Sequence, residues 1–550
     1  MKRNIFAFLL IFAFLLPSAA SAQQAVKISS NERKMADAIT AEQLKQYLYY
    51  VASDAMGGRD TPSPGLDATA GFIQLMLTRW KFKPAGDNGT FFQKIELTRE
   101  TLDPEKTKIE VGGQSLTMGT DFYRYGGKGS ASAPLVFGRD GWMVKAKGID
   151  AFQGVDVSGK IVVLSGPVFS FGTLFARPNG VTADDLKGTK GTDWADPLTY
   201  ARQKGAAGVL VVAPQGLQER WEQLRGFLSR GRTYPTKLDE STGPNPPVML
   251  LSQKAGEALF AGEAAGKDSV AAFQMSKSGS VSAATKSEIL WTQNVAAVWE
   301  GSDPVLKNEY VAIGAHYDHV GTNPNAPGPD KIWNGADDDG SGTVAVLSIA
   351  EALAKAPKRP KRSTLFVWHC GEEKGLWGSE YWNKFPTLDV KKVVTQLNID
   401  MIGRSLDPNN IIKCDPKQPQ KPCNEDLSKA DEIYIIGSEM MSSTLGAITK
   451  GTNAAYLNIG YNTRYDDPND KNRFFFRSDH FNYAHNGIPI VFWFDGVHED
   501  YHQASDTADK IDYAKMEKVT RTIFLTLLKV SDLKDRPAID KKLPPELTER

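Results

Sequence analysis

The stretch EYVAIGAHYDHVG, Glu309–Gly321, decides how the chain is read. Five small or apolar residues follow Tyr310 without a polar interruption, and the run ends in His316, Asp318 and His319. A continuous apolar run of this length suits a strand buried on both faces. The same texture recurs in NVAAVWEG (294–301), STLFVWHCGEE (363–373), VVTQLNIDMIG (393–403) and IPIVFWFDG (488–496). Helical stretches such as Gly342 to Lys355 fall between them. Alternating strands and helices predict an α/β domain with a mainly parallel twisted sheet and helices on both faces. In such sheets ligands gather at the carboxyl ends of the strands.

That rule selects residues. His316 and Asp318 end one run, Glu372 and Glu373 a second, and Asp400 a third. WNGADDDGSGTVAV (333–346) places Asp337, Asp338 and Asp339 just before an apolar helix, and YHQASDT puts His502 and Asp506 in a polar loop after the last strand. All seven histidines lie at or beyond His316. Taken singly, a His-x-Asp pair is ordinary, and two adjacent glutamates usually form a solvated face. The three aspartates do not make an EF-hand, because Ser348 stands at the twelfth position where a glutamate ligand belongs. Together, carboxylates and imidazoles at several strand ends suit zinc or another first-row divalent ion, and two ions sharing a carboxylate would make a hydrolytic site. Neither a P-loop nor a Gly-x-Ser-x-Gly elbow occurs.

The pieces HYDHVG, NGADDDGSG, GEEKGLWGSEYW, NIDMIG, SDHFNYAHNGIPIVFWFDG and YHQASDT, taken in order, resemble the co-catalytic dizinc exopeptidases. That family includes bacterial leucyl-type aminopeptidases, glutamate carboxypeptidase and the catalytically inactive transferrin receptor. The resemblance covers roughly Asn294 to Asp512 and implies a phosphorylase/hydrolase-like zinc exopeptidase fold. It implies His316 and Asp400 as ligands of a first metal, Glu373 and His502 as ligands of a second, and Asp338 as the bridge. Glu372 becomes the general base and Asp318 the residue that orients His316. Tyr465 is carried over as a candidate oxyanion contact, and His319 and His480 match no ligand and are read as supporting residues. The implied cofactors are two zinc ions, with cobalt or manganese as other ions the ligand types accept. The expected activity is that of an aminopeptidase acting on peptides. The same scaffold also carries carboxypeptidases, glutaminyl cyclase-like acyl transferases and non-catalytic binding modules.

The rest of the 550 residues sets the context. Hydrophobic and charged contents of 41% and 24% are those of a globular protein, and the 65 basic and 65 acidic residues balance, so no basic field for nucleic acid arises. Residues 1–22 read as a signal peptide: Lys2 and Arg3, an apolar run from Ile5 to Leu16, then Ala20-Ser21-Ala22. This predicts an exported chain, periplasmic or extracellular, with no membrane span after cleavage. Residues 23–132 are assigned to the N-terminal part of the peptidase domain, and 133–286 to a β-rich insert that resembles a protease-associated domain through GKIVVLSG and GAAGVLVV. The zinc peptidase catalytic domain then takes 287–535, and 536–550 form a tail. Cys414 and Cys423 flank a Pro/Lys-rich loop and are a candidate disulfide. Cys370 reads as a buried, inert thiol.

Overall fold

The computed structural model describes residues 26–166, 175–228, 231–239, 245–326, 328–415, 418 and 421–548. The proposed signal peptide lies outside these residues. Two compact units emerge: Ile95–Thr292 forms one, and the residues up to Lys94 join those from Gln293 onward to form the other. The insert therefore begins at Ile95, not near residue 133. The reason is strand pairing: Lys108–Val111 pairs with Phe273–Ala283, and Phe122–Gly126 pairs with Val248–Leu251.

Within this inserted unit, Ile161–Leu164, Gly208–Val212 and Val248–Leu251 run parallel. Each is a short apolar run that buries both faces. Val162, Val209 and Leu250 enter one hydrophobic cluster, whereas Ile161, Leu210 and Met249 enter the other. This is the period-two alternation of a strand covered on both sides.

The other unit carries the motifs. Its strands are β1 (Thr285–Trp299, entering from the insert), β2 (Tyr310–His316), β3 (Ser363–His369), β4 (Val393–Ile399), β5 (Glu432–Ile436), β6 (Gly460–Asn462) and β7 (Ile490–Phe494). They lie in the order β1-β3-β2-β4-β7-β5-β6. The centre is parallel, with β2 paired to β3 and β4, and β4 paired to β7. The β1/β3 and β5/β7 pairs are antiparallel. Every residue of β3 and β4 is buried, the polar Thr364, Thr395, Gln396 and Asn398 included, which is why their sequences are mostly apolar. The parallel centre makes β2, β3 and β4 end on one edge, with His316 directly beside His369.

Helix α1 (Ala41–Val51), which precedes α2 (Pro64–Arg79) and, far along the chain, α5 (Ser443–Ala455), is capped by the Thr40 hydroxyl, which accepts from Gln43 N. It packs against α3 (Gly342–Lys355), which in turn meets β2 and α7 (Tyr513–Ser531). Residues 342–353 are all buried. The Thr343 hydroxyl donates to His316 O at 2.6 Å, and Trp368 Nε1 donates to Thr343 O at 3.1 Å. The start of α3 is thus tied to the strand ends that carry the motifs. A second pair, α4 (Trp377–Lys384) and α6 (His480–His485), packs against β3, β4 and β7. No helix among the described residues is long and apolar enough to cross a membrane.

Candidate metal centre

Three strand ends and two loops bring the selected residues together. His316, the last residue of β2, is fully buried. Its Nε2 lies 3.3 Å from Asp338 Oδ1, 3.6 Å from Asp400 Oδ1 and 3.9 Å from Glu372 Oε2. On the far side of Asp338, the Oδ2 atom is 3.0 Å from His502 Nε2, which is also 3.0 Å from Glu373 Oε2. Two groups therefore have metal-ligand geometry: His316, Asp338 and Asp400, and His319, Asp338, Glu373 and His502. Asp338 belongs to both. Glu372 belongs to neither, yet it stands beside them.

The surrounding bonds explain how so many charges are held. Asp318 is completely buried. Its Oδ2 accepts from the Thr61 hydroxyl, its Oδ1 accepts from Glu372 N at 3.1 Å, and the same Oδ1 stands 3.6 Å from His316 Nδ1. The hydrogen-bond partner of His316 Nδ1 is the Asp318 carbonyl, at 3.2 Å, so Asp318 touches both the histidine and the glutamate turn. Asp337 Oδ1 accepts from Gly403 N, while Asp339 Oδ1 accepts from Gly342 N and Met401 N. Asp506 accepts from the backbone N–H groups of Asp337 and Asp338. His502 is set by its carbonyl, which accepts from Trp333 Nε1 at 2.9 Å.

Electrostatics show the cost of this crowding. Burial works against a charged carboxylate at Asp338, but His316 and His502 hold it well below its usual range. Burial pushes Glu372 well above the usual carboxylate range; Glu373, Asp400 and Asp479 add to the rise and His316 opposes it. Burial would lower His502, yet Asp338 and Glu373 raise it to about 10. Protons on the histidines thus do part of what a cation would do. Asp338 Oδ2, Glu373 Oε1 and His502 Nε2 are buried with no hydrogen-bond partner among the described residues. Buried, converging and unsatisfied nitrogen and oxygen donors fit a divalent ion of the zinc type.

Residues 294–527 match the model of Peptidase family M28. Over these residues, less than half of the chain, it resembles peptidase family M28. Leupeptin-inactivating enzyme 1 of Streptomyces exfoliatus is 37% identical over 111 residues, 20% of this chain and 22% of that protein. A probable leucine aminopeptidase of Arthroderma benhamiae is 27% identical over 229 residues, 40% of this chain and 54% of that protein. The chain thus spans about half or less of the length of these curated relatives. Among solved structures, an aminopeptidase from Aneurinibacillus sp. strain AM-1 is 17% identical with a TM-score of 0.49, covering 94% of this chain and 98% of that one.

Tyr465 does not line the pocket at the candidate metal centre. Tyr465 is buried between Tyr434 and Phe474. The phenol that lines the pocket with His316, Asp338, Glu372 and Asp400 is Tyr501, beside Arg477 and an apolar wall that includes Phe474 and Phe494. Two residues near the centre were given other parts or none by the motifs. His319, read from sequence as supporting, stands in the second ligand group. Arg59 is fully buried and donates to the carbonyls of Val51, Tyr317, Asn334 and Gly335. Nothing in GGRD signals that Arg59 laces the segments at Tyr317 and Asn334–Gly335 together; these three partners lie more than 250 residues along the chain. Cys414 and Cys423 form a disulfide, and Cys370 is buried.

Proposed function

We propose that the chain is an exported, zinc-dependent exopeptidase, an aminopeptidase that hydrolyses N-terminal residues from peptides with two zinc ions. The observation that carries this reading is the shared Asp338, with Glu372 beside both ligand groups and part of neither. His316 and Asp400 are assigned to the first ion, Glu373 and His502 to the second, and Asp338 to both. Bound ions would polarise the scissile carbonyl, make a water acidic and favour the ionised form of Glu372. Glu372 takes the proton of the attacking water and passes it to the departing amine. Asp318 keeps that carboxylate in place by accepting from Glu372 N. The pocket's apolar wall suits an apolar side chain on the substrate. The leucine aminopeptidase relatives agree with that preference. Lys2, Arg3, the apolar run to Leu16 and Ala20-Ser21-Ala22 support export. The unit Ile95–Thr292 is read as the protease-associated insert.

The test is Glu372→Gln, which keeps the volume and removes the base. It should retain metal and fold while losing at least about 100-fold in turnover. Normal turnover by this variant would sink the assignment. A panel of free-amine, N-blocked and N-terminal-Gln peptides tests the reaction. Release only from free-amine peptides supports an aminopeptidase. Cleavage of N-blocked peptides or cyclisation of the glutamine would overturn it.

A further inference from the structure

His319 follows the His316/Asp318 pair on the same turn and is completely buried. Neither of its ring nitrogens has a hydrogen-bond partner among the described residues. A buried imidazole left so is costly unless something else takes its lone pair. Its Nδ1 lies 3.0 Å from Glu373 Oε1 and 3.8 Å from Asp338 Oδ2. Those two oxygens lack hydrogen-bond partners as well. The ring meets that of His502 edge-on at 5.5 Å. One ligand atom from each of His319, Asp338, Glu373 and His502 falls within 4.8 Å of the others.

The backbone around His319 is shaped to hold the ring there. A Cβ on Gly335 would stand 2.4 Å from His319 Cγ, so only glycine leaves the ring its place. His319 N donates to Arg59 O at 3.1 Å. The Arg59 guanidinium in turn binds the carbonyls of Tyr317 and Gly335.

The geometry points to His319 as a protein ligand of the second ion, in addition to Asp338, Glu373 and His502. This rests on the two-ion reading above. The second ion then has four protein ligands, two of them imidazoles, whereas the ion at His316, Asp338 and Asp400 has three. The two positions become unequal. The four-ligand side holds its ion more tightly, and the three-ligand side keeps the open position that catalysis needs.

The test uses the full chain loaded with zinc, metal content after dialysis against graded chelator, and zinc-edge X-ray absorption to count imidazoles. The wild type should hold two ions and show three imidazoles per pair, losing one ion at lower chelator than the other. His319→Ala should weaken the tighter ion by about 100-fold or more and leave two imidazoles per pair. His319→Gln preserves bulk; it should lose the same imidazole. Both variants are checked for wild-type circular dichroism. Unchanged retention of the tighter ion together with two imidazoles in the wild type would overturn the proposal while leaving the two-ion site intact. A wild type that holds no ion would overturn both.

Discussion

At the scale of single residues, Asp337, Asp338 and Asp339 are consecutive in sequence and different in surroundings. Asp339 is committed to Gly342 N and Met401 N, and Asp337 to Gly403 N with His498 3.4 Å away. Only Asp338 presents both oxygens to histidines on opposite sides. Asp338→Asn should therefore deplete both ions, leaving less than about one tenth of the wild-type metal per chain. Asp339→Asn should keep them, because an amide oxygen accepts the same two N–H groups. Equal metal loss in the two variants would contradict this division. A residue away from the centre sets a pH effect. Burial raises Asp466, which accepts from Gly437 N, to about 6. The folded state holds this proton more strongly than the unfolded chain, so the stabilisation is complete below about pH 4 and lost as pH rises toward 6. Asp466→Asn should remove that dependence, seen as a shallower fall in denaturation midpoint between pH 4 and 6.

At the scale of elements, the strands were legible because burial on both faces leaves them mostly apolar, Leu365–Trp368 in β3 and Val393, Val394, Leu397 and Ile399 in β4. Helix α3 was legible in extent, from Gly342 to Lys355, because its apolar run is bounded by the glycine-rich loop and by Pro357. Its contact with the sheet was not. A Cβ on Gly342 would lie 2.5 Å from Ile399 O and 2.4 Å from Asp339 Oδ1. The first turn of α3 thus sits directly against the end of β4, which brings Asp338 and Asp400 to the same point. Gly342→Ala should force these apart, costing about 1–3 kcal/mol. Urea denaturation would measure the cost, and metal content should fall with it.

At the scale of the whole molecule, each of the two units has its own hydrophobic core. The ion-binding groups all lie in the unit built from residues up to Lys94 and from Gln293 onward. Ligands that bind only the folded state stabilise it, by about 4 kcal/mol at a thousandfold excess over the dissociation constant. Calorimetry should show two unfolding transitions. A chelator should lower one by several degrees and leave the other in place; a uniform shift of both would contradict the division.

By itself, the sequence determined the strands of the α/β centre, the polar residues at their ends and the match of residues 294–527 to the model of peptidase family M28. These depend on local pattern: mostly apolar runs, a glycine-rich turn, a carboxylate or imidazole at a strand's end. Tertiary structure alone decided three matters. It placed the insert's start at Ile95, because strands near residues 110 and 125 pair with partners more than a hundred residues later. It separated Tyr465 from the pocket that Tyr501 lines. And it turned His319 toward Glu373 in a space kept open by Gly335 and Arg59. Each depends on contacts between residues distant in the chain. Local periodicity carries no record of such contacts, and the direction of a buried side chain is set by them.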